Sequence, residues 1–233
     1  INYLYYGLYD HTSETFFKGI NSLPPGHYLV WRDNKIKLTK YWNLADLKPK
    51  NLNFKEGEAE DILKNLIKDA IKLRFRSDVP VGLNLSSGLD SNSLYHYALE
   101  VTAKNINTFS MCLKSEAYNE CGLIKKMLDH KKKEFWHTCY LNPAKVLSGA
   151  EKMNIIQDQP YGGIPTLAYE SLIKLSRDNN TTVILEGQGV DEILAGYPYY
   201  KAEYEKDNFG QTKDNSGIGY GQDMSKLIYQ DIL

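Results

Sequence analysis

The stretch "VPVGLNLSSGLDSNSLYHYAL", Val79 to Leu99, decides the architecture. A short apolar run, Val79 to Leu85, leads straight into two serines, a glycine and an aspartate. An apolar pattern at helical spacing then resumes with Leu94, Tyr95, Ala98, Leu99 and, at its margin, Thr102. The run has the length and β-branched content of a buried strand, and the recurrence at three and four suits one face of a helix. A turn that only reversed the chain would need no such collection of hydroxyls and exposed amides.

The polar residues therefore fall at the carboxyl end of a strand, where a helix begins. Ser86, Ser87, Gly88, Leu89, Asp90 and Ser91 sit where backbone N–H groups lack intrahelical partners and the helix dipole favours negative charge. Gly88 permits a close backbone approach, Ser86 and Ser91 add hydroxyl donors, and the result is a phosphate or pyrophosphate cradle. Asp90 would repel a bare phosphate, so its useful role is to hold a divalent cation. An ordinary capped helix fits the same residues without any ligand. The loop has neither the Gly-Lys-Ser/Thr end of a Walker A motif nor a GxGxxG fingerprint.

Outward from this stretch the pattern repeats. Ile62, Leu63, Leu66, Ile67, Ala70 and Ile71 predict a preceding helix with one apolar face. "NTFSMCL" from Asn107 and "KEFWHTCYL" from Lys133 predict two more strands, separated by a helix over Asn119 to Leu128. Helical segments follow around Pro143 to Ile155 and Thr166 to Ser176, and "TTVILEG" reads as a fourth strand ending in Gly187. Short β-rich runs alternating with helices predict an α/β fold, a parallel sheet flanked by helices, with ligands at the strand carboxyl ends.

The first 45 or so residues read differently. A Pro-Pro-Gly turn, the apolar segment Tyr28 to Trp31, an Asp-Asn turn at Asp33 and Asn34, and alternation through Ile36 and Leu38 predict a hairpin too small to bury much alone. Pro49 to Phe54 reads as a linker. Glu205 to Gln222 is polar and Gly-rich, which predicts a mobile loop, a segment ordered by a partner, or two distant stretches joined across a gap.

Composition narrows the function classes. The 233 residues are 42% hydrophobic, enough for one substantial core and a smaller appendage. The 28 basic and 29 acidic residues leave a formal charge of -1, so the whole-molecule field offers no general attraction to nucleic acid or anionic lipid. No apolar run approaches the roughly 18 residues of a membrane span, and no signal peptide is evident at Ile1. Cys112, Cys121 and Cys139 are widely spaced and odd in number; that fits a reducing compartment better than a disulfide scaffold, so a cytoplasmic location is expected. The five histidines show no zinc-ligand spacing. The 18 tyrosines lack clustered basic neighbours and read as packing residues rather than base-stacking ones.

A second strand end sharpens the first. "VILEGQGVDEILAGY" carries Gly187 and Gly189 at a turn and then Asp191 and Glu192 opening an apolar-periodic helix. Two glycine-bearing turns, each with a carboxylate in the first helical turn, suit a clamp on Mg²⁺ and a triphosphate, with Asp90 and Asp191 as the metal pair. Glu192 is a candidate third ligand, a helix cap or a lysine partner.

These residues resemble the glutamine-dependent asparagine synthetase family. "VPVGLNLSSGLDSNSL" resembles its pyrophosphate loop, usually Ser-Gly-Gly-Leu-Asp-Ser after a Val-Pro-Val-Gly strand. "NTFSMCL" is similar to its second strand, and "LEGQGVDEILAGYPYY" to its Gly-Glu-Gly-x-Asp-Glu-x-x-x-Gly-Tyr segment. "FFKGINSLPPGHYLVW" resembles the end of the glutaminase domain, and "DMSKLIYQDIL" a later helix.

The resemblance implies an ATP pyrophosphatase fold, adenine nucleotide alpha hydrolase-like. It places the end of a glutaminase domain and linker at 1–54, and an ATP-binding synthetase domain, carboxyl-terminally incomplete, at 55–233. It implies that a carboxylate such as aspartate is activated by Mg-ATP as an acyl-adenylate with loss of pyrophosphate. Ammonia from a glutaminase domain absent from this chain then displaces AMP, and a homodimer is a candidate assembly. By motif match Ser86, Ser87, Gly88, Asp90 and Ser91 hold pyrophosphate, Asp191 shares the metal, and Asn84, Leu85, Met111, Glu186 and Gly187 surround the adenosine. The chemistry is charge neutralisation at the leaving group, with no protein nucleophile.

Three departures from the family pattern stand out. Ser87 replaces a usual glycine, and Glu186 a small residue. Gln188 stands where the family carries a glutamate near the activated substrate, and a neutral amide accepts no proton. They leave open another adenylating amidotransferase, a lactam-forming synthetase, or a nucleotide-binding domain without catalysis.

Overall fold

The computed structural model describes residues 2–47, 55, 57–113, 119–128 and 130–209. The expected linker Pro49 to Phe54, residues 210–222 of the Gly-rich segment, and "DMSKLIYQDIL" lie outside the described residues. The described chain falls into two compact units, one within Ile1–Asn53 together with Gln157–Pro160, the other within Phe54–Ile156 and Tyr161–Thr212. Among the described residues no helix is long and apolar enough to cross a membrane.

The first unit carries a short helix α1 (Asn2–Tyr6) and a hairpin of β1 (His27–Arg32) and β2 (Lys35–Lys40). The strands pair antiparallel from His27↔Lys40 to Arg32↔Lys35, leaving a two-residue turn. Asp33 and Asn34 take φ of 50° and 56° there, the left-handed pair whose twist matches a hairpin and which Asp and Asn tolerate best. The expectation that this piece buries little holds, since Trp31 and Ile36, paired across the ladder, stay 68% and 67% exposed.

The second unit is the predicted α/β layer structure. Helix α2 (Glu58–Arg74) precedes β3 (Val81–Asn84), α3 (Leu89–Thr102), β4 (Thr108–Cys112), α4 (Cys121–Met127) and β5 (Trp136–Tyr140). Then come α5 (Val146–Gln157), α6 (Ile164–Asp178), β6 (Val183–Leu185), α7 (Val190–Leu194) and α8 (Pro198–Phe209). The four strands form one parallel sheet in the order β5-β4-β3-β6. From β3 the chain steps outward to β4 and β5, then crosses back to add β6 on the other side of β3. The switch point thus lies between β3 and β6, the two strands whose carboxyl ends carry the two glycine-bearing loops.

The sheet is covered on both faces, as its continuous apolar strands require. On one face Leu83 and Leu85 join Ile71 of α2, Tyr95 and Ala98 of α3, and Ile124 and Leu128 at α4 in one buried cluster. On the other, α6 lies along β4 and β5. There Gly82 is required by close approach: a Cβ on it would meet the Asn107 carbonyl oxygen at 2.7 Å, Thr181 at 2.8 Å and the Phe109 ring at 2.9 Å. Phe109 is fully buried, stacks on His137 at 5.3 Å, and contributes about 1.5–3 kcal/mol by leaving water.

Three expectations need correction. Only the carboxyl-terminal half of the apolar stripe on α2 reaches the core. Ile67, Ile71 and Phe75 pack there, whereas Leu66 is 63% exposed and Ile62 and Leu63 are also on the surface. The helix meets α3 late, where Lys68 also pairs with Glu100 at 2.6 Å. Glu205 to Phe209, read as the start of an irregular segment, continue α8. Finally, Cys112 and Cys121 form a disulfide, with Cys139 free. The fold brings the end of β4 against the start of α4, so a nine-residue separation in sequence became a Cα–Cα distance of 5.6 Å.

Candidate functional site

The loop after β3 is tied by its own side chains. Ser91 is buried in the first turn of α3. Its hydroxyl lies 2.8 Å from the Ser86 hydroxyl, donates to the carbonyls of Ser86 and Gly88, and accepts from the Ser86 amide at 3.2 Å. Asn92 adds a side-chain N–H to the Gly88 carbonyl at 2.7 Å. The Gly88 amide points to the Ser86 hydroxyl at 3.2 Å. Gly88 itself caps α3 at φ −68° and ψ 153°, extended backbone open to any residue, so its use lies in its small size rather than in a left-handed turn.

Ser91 is thus committed within the loop, which sequence reasoning assigned outward. The residues it missed are Asn92, which fastens the loop, and Glu120, whose carboxylate accepts from the Ser87 amide at 2.8 Å. Glu120 precedes α4 and comes from 33 residues away, so only the β4 to α4 crossover brings it there.

The second loop sits directly on the first. A Cβ on Gly187 would come within 3.0 Å of the Asp90 Cβ and 3.1 Å of the Ser91 amide nitrogen. Gly189 opens α7 at φ 97°, a left-handed position that favours glycine. Gly196 lies so near that a Cβ on it would run into a carboxylate oxygen of Asp191, and its amide donates to the Asp191 carbonyl at 2.9 Å.

The carboxylates of the two loops sense each other. Burial raises the Asp90 carboxyl above its ordinary range, and the negative charges of Asp191 and then Glu192 push it further. Such crowding of like charge is relieved by a cation. Among the described residues no group of three or more His, Cys, Asp or Glu side chains is arranged to hold a metal. Asp90 and Asp191 fit Mg²⁺ on other grounds, since that ion commonly takes one or two carboxylates and completes its shell with water and phosphate oxygens. Among the described residues Glu192 has no lysine partner and makes no cap at α7; it accepts from the Tyr197 hydroxyl at 3.1 Å. Lys201 pairs with Glu205 at 3.9 Å on an exposed helix face.

A third group lies beside these loops. Glu186 follows β6, half-buried; one carboxylate oxygen accepts from the Asn84 side-chain amide and the other from the Tyr169 hydroxyl at 3.2 Å. Tyr169 is on α6 and was not singled out in sequence. Burial raises its hydroxyl pKa, the Glu186 charge adds to this, and a side-chain hydrogen bond with Gln188 opposes it. Gln188 is exposed. The sequence signal for Tyr169 would have been the need of a half-buried acidic residue for donors from neighbouring elements.

Leu85 directly follows β3 and Met111 lies on β4. Leu85 is 3% exposed in the core cluster; its amide donates to the Phe109 carbonyl at 2.8 Å, and its carbonyl accepts from the Ser110 hydroxyl at 2.5 Å. Met111 is half-buried on β4, with the Cys139 sulfur 4.0 Å from its own. A cleft of about 520 Å³ lies at the opposite end of the sheet, lined by Val81, Ile106, Phe135 and Thr181 at the strand amino ends. It is remote from both glycine-bearing loops.

A parallel sheet with paired strand-end loops at its switch point is an α/β domain built to take a ligand between those loops. The model of the asparagine synthase family matches residues 63–228, and the chain belongs to that family. A Methanocaldococcus jannaschii protein named for glutamine-hydrolysing asparagine synthetase is 32% identical over 202 residues, covering 83% of this chain and 37% of its own length. The amidase chyE of Penicillium rubens is 24% identical over 208 residues, covering 82% of this chain and 31% of that protein. The chain therefore spans about a third of the length of these relatives. Among solved structures, an NH3-dependent NAD synthetase from Campylobacter jejuni superimposes loosely, with TM-score 0.34 and 16% identity over 74% of this chain and 83% of that one.

Proposed function

We propose that this chain carries the ATP-dependent step of an amide-forming ligase. A carboxylate, aspartate or a related acceptor, attacks the α-phosphorus of ATP; pyrophosphate leaves, and ammonia then displaces AMP from the acyl-adenylate. Residues 55–233 would supply the synthetase domain, and residues 1–54 the end of a glutaminase domain that delivers the ammonia. The observation that carries the reading is the seating of Gly187 on Asp90 and Ser91 at the switch point between β3 and β6. That contact brings the two loops together, and the charges of Asp191 and Glu192 reach Asp90 across them.

In this reading the hydroxyls and amides of Ser86, Ser87 and Gly88 would exchange their partners within the loop and at Glu120 for the pyrophosphate at the start of α3, where the helix dipole favours negative charge. Asp90 and Asp191 would hold Mg²⁺, which supplies positive charge at the leaving group. Acceptors other than aspartate stay in the proposal because Gln188, a neutral amide, stands beside the Tyr169 hydroxyl. The test uses the full-length protein carrying this chain, with Mg-ATP, ammonia and a panel of carboxylates. AMP and pyrophosphate appearing in step with one amide product support the reading; neither ATP binding nor AMP formation with any acceptor would end it.

A further inference from the structure

The Cys112–Cys121 disulfide lies one residue from a partner of the loop after β3. Cys112 ends β4 and Cys121 opens α4, with their Cα atoms 5.6 Å apart. Glu120, the residue before Cys121, reaches the Ser87 amide with its carboxylate at 2.8 Å. Its carbonyl accepts the amides of Leu123 and Ile124 at 2.9 and 3.0 Å, so its backbone belongs to the first turn of α4. The position of that turn decides whether the carboxylate reaches Ser87. Ile124 and Leu128 anchor the later part of the helix in the core, and the disulfide anchors its start.

A carboxylate on this amide works against an anion arriving there. The Ser87 amide lies just before α3, where the helix dipole favours negative charge, and Glu120 supplies that charge from within the protein. While it stays, an incoming phosphate oxygen lacks one donor and meets a like charge. We propose that the disulfide is a redox switch on this loop. Closed, it holds Glu120 on the Ser87 amide; reduced by a dithiol, it frees the first turn of α4 and lets the carboxylate give way to an anionic ligand. The proposal rests on the ATP-binding reading above and adds a regulation of that same site.

The second unit has a buried core of its own, unlike the small scaffolds that rely on disulfides for want of one, so the bridge is available for a role other than stapling. In the reducing step a thiolate of the dithiol attacks the Cys121 sulfur, the less buried of the two at 7% exposure against 1%. The protein S–S bond breaks, a mixed disulfide forms at Cys121, and Cys112 leaves as a thiolate that takes a proton. The second thiol of the reductant then attacks the reductant's own sulfur in the mixed disulfide, which closes an internal disulfide and releases Cys121 as a thiol. Two electrons and two protons pass from the dithiol to the protein, and a low-molecular-weight disulfide takes them back.

The experiment uses the full-length protein carrying this chain, oxidised with glutathione disulfide or reduced with dithiothreitol and then desalted. Alkylation and mass spectrometry of the Cys112 and Cys121 peptides establish each state, and titration calorimetry measures Mg-pyrophosphate and Mg-ATP. Reduction should tighten both ligands by about three- to tenfold, the scale of one hydrogen bond and a screened repulsion. Cys121→Ala and Cys112→Ala should bind like reduced wild type under either treatment, with thermal melting used to show that they are folded. Glu120→Gln should bind tightly in both states, and Cys139→Ala should respond like wild type. A merely structural bridge would lower the melting temperature on reduction and leave affinity unchanged. Equal binding in the two states, weaker binding on reduction, a response that survives Glu120→Gln, or a pair that glutathione disulfide does not oxidise overturns the proposal, while AMP formation keeps the ligase reading. Binding of neither ligand in either state, with no AMP formed, removes both readings together.

Discussion

Gly187 touches Asp90. A methyl group added at Gly187 would come 3.0 Å from the Asp90 Cβ, 3.2 Å from its carbonyl carbon and 3.1 Å from the Ser91 amide nitrogen. Two of these atoms are backbone at the start of α3, which cannot swing aside like a side-chain tip. The contact therefore fixes the spacing between the loop after β3 and the loop after β6.

Gly187→Ala should separate these loops. The strain expected of an overpacked contact is about 1–3 kcal/mol, part of it taken up by moving the second loop outward. The variant should keep its fold by circular dichroism, with melting temperature only modestly lowered. Affinity for Mg-ATP, measured by calorimetry, should fall about tenfold or more, because the two halves of the site no longer close on one ligand.

Asp90→Asn separates stability from function. The Asp90 carboxyl is raised by burial and then by the charges of Asp191 and Glu192, so the folded chain holds that proton to higher pH than the unfolded chain does. The folded state gains relative stability below the ordinary carboxylate range, loses it as pH rises through the raised pKa, and above that bears a constant cost. Without Mg²⁺ the Asn variant should melt at the same or a higher temperature than wild type at neutral pH. The gap should close as the buffer is made acidic. Turnover of the full-length protein should fall about 100-fold or more if Asp90 holds the metal as proposed.

The layer order was legible because each strand was a short apolar run bounded by turn residues, and each helix an apolar period of three to four. The two loops were legible for a related reason: serine, glycine and aspartate at a strand end have few structural uses together. Tertiary relations were not. Nothing local to Tyr169 marks it as a partner of Glu186, 17 residues later, and Glu120 meets Ser87 only through a crossover. The α2 stripe was over-read because periodicity shows which face is apolar, not how far along that face the neighbouring helix reaches. The cysteines were misread in the same way, since spacing in sequence says little about Cα distance after a β4 to α4 turn.

Gly82 offers a test of the sheet itself. In central strand β3 an added Cβ would meet three neighbours below 3.0 Å, including the Asn107 carbonyl. That oxygen is held in place because it also accepts the Leu83 amide at 3.0 Å. Gly82→Ala should therefore destabilise by about 1–3 kcal/mol in chemical denaturation, and Gly82→Val by more. The midpoint should shift with little change in slope, as expected when packing rather than the unfolded state is altered.

Glu120 holds one of the loop amides after β3. Its carboxylate accepts from the Ser87 N–H at 2.8 Å, the position from which a phosphate oxygen would also draw a hydrogen bond. An anionic ligand entering the cradle must displace this carboxylate or tolerate its charge, and either costs affinity. Glu120→Gln removes the charge while keeping the shape; Glu120→Ala also frees the amide. Both variants should bind Mg-pyrophosphate more tightly than wild type, by about three- to tenfold at low ionic strength, with the gain shrinking as salt screens the repulsion. Titration calorimetry at two salt concentrations measures this. Weaker binding in both variants would mean that Glu120 instead shapes the loop for its ligand, and that the Ser87 amide needs the carboxylate to stay in place.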